Sequence, residues 1–298
     1  MMLSWRVGSR AVGLRMVLLA STLGVASSIG PAYALGSPVG VPYRVSAASR
    51  VCPSRGHAVT MTVADAFADG GRRRVWVYRP AVPDSTTLPV LYLLHGLPGN
   101  SDDFYNSGIA YDLDRAMCRG AAPFVVAAPD GSTPSTFDNE WADDAAGRFK
   151  LESLITGRLI GAVEGAHRRT RHYRALGGFS MGGFAAASIA ERHPSEYGQF
   201  AAVSGYFHID DPDHVFGDQA AQHDPDLLAP QASSMRVFLG DGDQQTDPSS
   251  YGETQRYAQS LIGSGQQIDE VVVHGDHSLA TFRALIPSLT AWLESGWH

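Results

Sequence analysis

Apolar positions in this chain cluster into short runs, with amphipathic or small-residue stretches between them. Val90–Leu94, Phe124–Ala128, Ala175–Phe179, Phe200–Ser204 and Met235–Leu239 are nearly unbroken apolar runs of five residues. That length and character belong to strands covered on both faces. Gln267–Val273 adds a sixth, more alternating strand. The intervening segments Ile109–Arg119, Phe149–Arg168 and Phe184–Ala190 read as helices, and Leu279–Leu293 as the helix that follows the last strand. Upstream, Ala58–Thr62 and Arg73–Tyr78 flank Asp69-Gly70-Gly71 and predict an antiparallel hairpin at a sheet edge. Strand and helix alternating in this way predict an α/β domain, its mostly parallel sheet carrying helices on both faces. Tyr206–Pro230 is polar and rich in Asp, which predicts a surface excursion. No internal repeat and no second domain is visible.

The N-terminus follows another pattern. Arg6, Arg10 and Arg15 precede an apolar stretch from Met16 to about Ile29, and Ala32-Tyr33-Ala34 offers a small-residue cleavage site. Residues 1–34 therefore read as a secretory signal peptide, too short for a comfortable membrane span. Residues 35–55 read as an extended arm and 56–298 as the catalytic domain. Loss of the leader removes three arginines and no acids, carrying the net charge from −7 to −10. So acidic a chain is a poor partner for nucleic acid or anionic membrane surfaces. It fits a protein that is secreted or associated with the cell envelope, without a stable membrane span after cleavage. Oligomeric state is not encoded legibly. Cys52 and Cys118 form an even pair for an oxidising compartment, so a disulfide between them is one expectation and two buried thiols the other.

The chemistry centres on Gly178-Phe179-Ser180-Met181-Gly182. A strand that runs into G-x-S-x-G and straight out into a helix is the setting of a nucleophile elbow. The serine there sits in a strained turn that the flanking glycines permit by having no Cβ. A serine hydroxyl needs a base, and the base needs an orienting acid, in the chain order Ser, acid, His. Two histidines follow the last strand. His274 continues the strand, whereas His277 lies in the loop and is assigned as the base. Asp243, just beyond Met235–Leu239, is the leading acid, with Asp241 and Asp247 in reserve. Oxyanion donors are expected from the backbone N–H of Met181 and of Leu97, since Pro98 has none to give. Phe137, Trp141, Tyr206 and Phe207 are candidate substrate-rim residues. No metal site is expected: Asp241-x-Asp243-x-x-x-Asp247 begins like a calcium loop but carries Gly252 at the twelfth position. No organic cofactor is implied.

The chain resembles the esterase D-type branch of α/β-hydrolases, a group that includes the secreted mycolyltransferases (the antigen 85 group). The resemblance spans Arg73 to Trp292. It is carried by Leu91-Tyr92-Leu93-Leu94-His95-Gly96-Leu97, Pro129-Asp130-Gly131-Ser132 with Ser135-x-Phe137 and Trp141, Gly178–Gly183, and Gly275-Asp276-His277. It implies an α/β-hydrolase fold, Ser180 as nucleophile, His277 as base, and Leu97 and Met181 as oxyanion donors. Where the mycolyltransferases carry Asp-Gly-Leu-Arg, this chain has His95-Gly96-Leu97-Pro98. The acid and arginine that help hold trehalose are therefore absent. The expected activity is that of a secreted serine carboxylic-ester hydrolase acting on a small-molecule or lipid ester. Acyl transfer at the same acyl-serine is the alternative within enzymes. A secreted binding protein on an inactive scaffold is the alternative outside them.

Overall fold

The computed structural model describes residues 55–133, 138–209, 211–246, 250 and 252–297. The signal peptide, most of the arm, Cys52 (and with it the expected pairing to Cys118) and Phe137 lie outside them.

Eight strands form one sheet in the order β1-β2-β4-β3-β5-β6-β7-β8. β1 (His57–Ala64) and β2 (Arg72–Arg79) make the expected antiparallel edge hairpin, with Val59 opposite Val77. β2 is also antiparallel to β4 (Val125–Pro129). From there β3 (Val90–Leu94), β5 (Arg174–Phe179), β6 (Gln199–Val203), β7 (Arg236–Gly242) and β8 (Ile268–Val273) all run parallel to β4.

The central strands are buried along their whole length because both faces are covered, and alternate residues feed two cores. Val90, Tyr92 and Leu94 enter one core; Leu91 and Leu93 enter the other. This is the period-two consequence of the pleat. The first core is completed by the helix over residues 151–164, by Met181–Arg192 and by Glu253–Gly263. The second is completed by Ser101–Asn106, Ile109–Cys118 and Leu279–Gly296. Burial of apolar area on this scale, at roughly 25 cal/mol per Å², is what orders the sheet and hence the loops at its carboxyl edge.

Three boundaries differ from the pattern in ways that bear on the site. The helix expected over Phe149–Arg168 runs only to Glu164, because Gly165 takes a positive φ of 56° and ends it. Its last residue is useful. Glu164 accepts from the Arg174 guanidinium at 2.6 and 2.9 Å, pinning the start of β5 and so the far end of the nucleophile strand. The helix after the nucleophile starts at Met181, directly after the serine. β7 continues past Leu239 to Gly242, paired through Gly242↔Val273. Among the described residues no helix is long and apolar enough to cross a membrane.

Candidate active site

The turn at Ser180 is built as its glycines require. Ser180 has φ 57° and ψ −123°, a left-handed conformation that is costly for a residue with a side chain. A Cβ on Gly178 would lie 2.0 Å from the Gly182 carbonyl oxygen, and one on Gly182 would lie 2.1 Å from that of Leu94. Neither clash can be relieved, because backbone stands on both sides. Ser180 N–H donates to Val203 O at 3.0 Å, which ties the turn to β6. The side chain is thereby lifted above the sheet and meets the imidazole of His277, with Oγ 2.9 Å from Nε2. The His277 ring packs on Phe179 at 4.9 Å between centroids.

On the far side of that ring the sequence expectation needs correction. His277 Nδ1 faces Gln245 Oε1 at 3.2 Å and Ser250 Oγ at 3.1 Å. Asp243 is not there. Its carboxylate accepts from His274 Nδ1 at 3.0 Å and from Gly275 N–H at 3.2 Å, in an exposed position. The cause is register. Because β7 runs on to Gly242 opposite Val273, Asp243 is the next rung and donates its own N–H to Val273 O. That rung places it beside His274, whereas His277 lies three residues further round the turn. The hydrogen bond from His274, the main cause, holds the Asp243 carboxyl below its ordinary range.

A carboxylate does stand behind the imidazole, at one remove. Gln245 Nε2 donates to Asp241 Oδ1 at 2.8 Å. The Ser204 hydroxyl and the Gly242 N–H donate to the same oxygen at 3.1 and 2.8 Å. Asp241 is buried. Asp247 lies outside the described residues.

On the other flank of the serine, Gly96 comes so close that a Cβ there would lie 2.9 Å from Ser180 Cβ. Leu97 follows it. Met181 N–H belongs to the first helical turn, which has no intrahelical acceptor. Met181 and Gly96, the residue before Leu97, therefore both border Ser180. Beneath this loop lies His95, buried, whose Nε2 accepts from Gly131 N–H at 2.8 Å while its Nδ1 lies 2.9 Å from Gly96 O. Trp141 Nε1–H donates to His95 O at 2.9 Å.

The rim expectations divide. Trp141 is completely buried, clamped against His95, so it supports the loop and is no rim residue. Phe207 is likewise fully buried, stacked on Tyr257 at 4.3 Å, and belongs to the core. Tyr206 is partly buried, stacks on Phe184 at 5.0 Å and donates its hydroxyl to Glu140. Burial, reinforced by Asp138, pushes the Glu140 carboxyl well above its usual range; burial raises Asp138 itself to about 6. Asp241, held in reserve as the acid, stands behind Gln245 instead; Gln245, Ser250 and His95 are the site residues that sequence reasoning did not place. Only the His95-Gly96 pair before Leu97 carried a readable signal. Away from the serine, His208, Asp224 and Asp226 each bring one ligand atom within 4.8 Å of the others. Those groups are already engaged: Arg256 pairs with Asp226, while Ile209 N–H and Leu227 N–H bond to Asp224.

Sheet order, elbow and facing histidine define an α/β-hydrolase. The family model described as "Putative esterase" matches residues 68–293, and the chain belongs to that esterase family. Esterase Rv1288 of Mycobacterium tuberculosis (strain ATCC 25618 / H37Rv) is 32% identical over 122 residues, 40% of this chain and 25% of that protein. The chain thus spans about a quarter of the length of this curated relative. Among solved structures, a ferulic acid esterase matches with a TM-score of 0.70 at 18% identity, covering 81% of this chain and 99% of that one. MPT51 of Mycobacterium tuberculosis matches with a TM-score of 0.61 at 15% identity, over 81% of this chain and 99% of that one. At such identities the likeness is one of fold.

Proposed function

We propose that this chain hydrolyses carboxylic esters through an acyl intermediate on Ser180. The observation that carries the reading is the 2.9 Å contact between Ser180 Oγ and His277 Nε2 on a strained elbow. As Oγ attacks the ester carbonyl, Nε2 takes its proton. The tetrahedral oxyanion is received by the N–H groups of Met181 and Leu97. His277 then protonates the departing alkoxide, and a water molecule activated by the same imidazole releases the acid. With Nε2 accepting from the serine, the ring proton sits on Nδ1 and donates towards Gln245 Oε1 and Ser250 Oγ. Gln245, held by Asp241, fixes the orientation of the ring. In this reading the buried charge of Asp241 reaches the imidazolium through an amide.

The substrate is a small or lipid ester. The ferulic acid esterase neighbour makes aromatic acyl esters a sensible first set beside the aliphatic ones. Residues 1–34 support export of the enzyme, testable by N-terminal sequencing of protein recovered outside the cell.

The test is hydrolysis of p-nitrophenyl esters from acetate to palmitate, and of methyl ferulate, by the protein and by Ser180→Ala. Turnover in the wild type should vanish in the variant, and a fluorophosphonate should label only the wild type. A folded wild type that turns over none of these esters and takes no label would overturn the reading.

A further inference from the structure

We infer that His95 is a positioning residue whose single neutral tautomer aims the Leu97 N–H at the oxyanion. This rests on the hydrolase reading above and deepens it. Gly131 N–H points at His95 Nε2 from 2.8 Å. An N–H can only donate, so Nε2 must be the unprotonated nitrogen and the ring proton must be on Nδ1. That proton then donates to Gly96 O, 2.9 Å away. Burial, the largest influence, pushes the pKa of this imidazole down, which agrees with a neutral ring.

The consequence follows from peptide geometry. Gly96–Leu97 is a trans peptide, in which C=O and N–H point in opposite directions. Holding the Gly96 carbonyl on the His95 side turns the Leu97 N–H the other way. Among the described residues that N–H has no acceptor. A Cβ on Gly96 would lie only 2.9 Å from Ser180 Cβ, so the peptide that carries the freed amide starts beside the nucleophile. The grip is rigid at each point. Trp141 Nε1–H holds the His95 carbonyl, and a Cβ on Gly131 would strike the Trp141 ring at 2.6 Å. The loop after β4 thus sets the tautomer, the tautomer sets the Gly96 carbonyl, and the carbonyl sets the donor.

Two measurements test this. In wild-type protein at neutral pH, ¹⁵N-detected NMR of the imidazoles should find His95 protonated on Nδ1; a proton on Nε2 alone would overturn the inference. In His95→Gln and Trp141→Phe, each shown folded by circular dichroism, the loss should fall on kcat with KM within about threefold. For His95→Gln the expected fall in kcat is about 10²-fold, the scale of a lost oxyanion donor, and smaller for Trp141→Phe. Affinity for a trifluoromethyl ketone, which mimics the oxyanion, should fall in parallel. A merely structural role would lower thermal stability and leave that parallel absent. If Ser180→Ala abolishes turnover while folded His95→Gln retains kcat within threefold, the positioning role alone falls. If turnover survives in Ser180→Ala, the hydrolase reading falls and this inference with it.

Discussion

The turn after β5 and the loop after β7 end neighbouring regions of the same sheet, yet they fix their chemistry by different means. At Ser180 the constraint is backbone against backbone: Gly178 against Gly182, and Gly182 against Leu94. No side chain chooses the geometry, so residue type and position determine it together. Beyond β7 the constraint is which polar side chain finds which partner. Asp241, Asp243 and Gln245 lie within five residues, and three different outcomes result. Asp241 turns inward to Ser204, Asp243 pairs outward with His274, and Gln245 reaches His277. A turn written in glycines can be read from a motif; a loop written in interchangeable polar groups is settled by strand register.

The largest way to break this contrast is Gly182→Ala. The added methyl has no room beside the Leu94 carbonyl, and overpacking costs about 1–3 kcal/mol, occasionally more. Thermal unfolding should occur at clearly lower temperature, and fluorophosphonate labelling should slow by at least about 10²-fold. A Gly182→Ala protein with wild-type labelling would show that the elbow tolerates a Cβ and that backbone contact does not fix its geometry.

Next in size come changes behind the imidazole. Gln245→Ala removes the group facing Nδ1 and leaves the ring to Ser250. The ring then samples orientations that do not face Ser180, and kcat should fall by roughly 10- to 100-fold with little change in KM. Asp241→Ala removes the oxygen that now receives three donors. Leaving buried donors unmatched costs about 1–3 kcal/mol, so this variant should lose both stability and kcat. If neither substitution moves kcat, the Gln245–Asp241 relay has no part in orienting His277.

Much of this was legible in the chain. The apolar runs gave the central strands because burial on both faces leaves little choice of residue. Ser180 and His277 followed from the elbow and from a histidine placed in a loop. Trp141 and Phe207 were misplaced because an aromatic residue near a loop can face solvent or core, and only tertiary packing decides. Gln245 was missed because a neutral amide carries no catalytic signature; its role comes from what stands on either side of it. The sequence favours Asp243 only if β7 stops at Leu239. The three further residues of ladder to Gly242 redirected it.

That redirection supplies the smallest expected effect and the sharpest discrimination. Asp243 and His274 form an exposed pair, and exposed ion pairs contribute little. Asp243→Asn and His274→Ala should therefore each leave kcat and KM within about twofold of wild type at neutral pH. The pH dependence has a definite sign. The folded-state pKa of Asp243 is lowered, chiefly by the His274 hydrogen bond. Whatever stability the pair contributes is present above the unfolded carboxyl value and disappears as pH falls through the lower folded value. Asp243→Asn should flatten the dependence of unfolding on pH only in that acid window, leaving ester turnover unchanged. A large loss of kcat in Asp243→Asn, with His274→Ala unaffected, would mean that Asp243 leaves His274 during turnover to serve His277. The loop after β7 would then hold two working arrangements, and the contrast with the fixed elbow would be greater still.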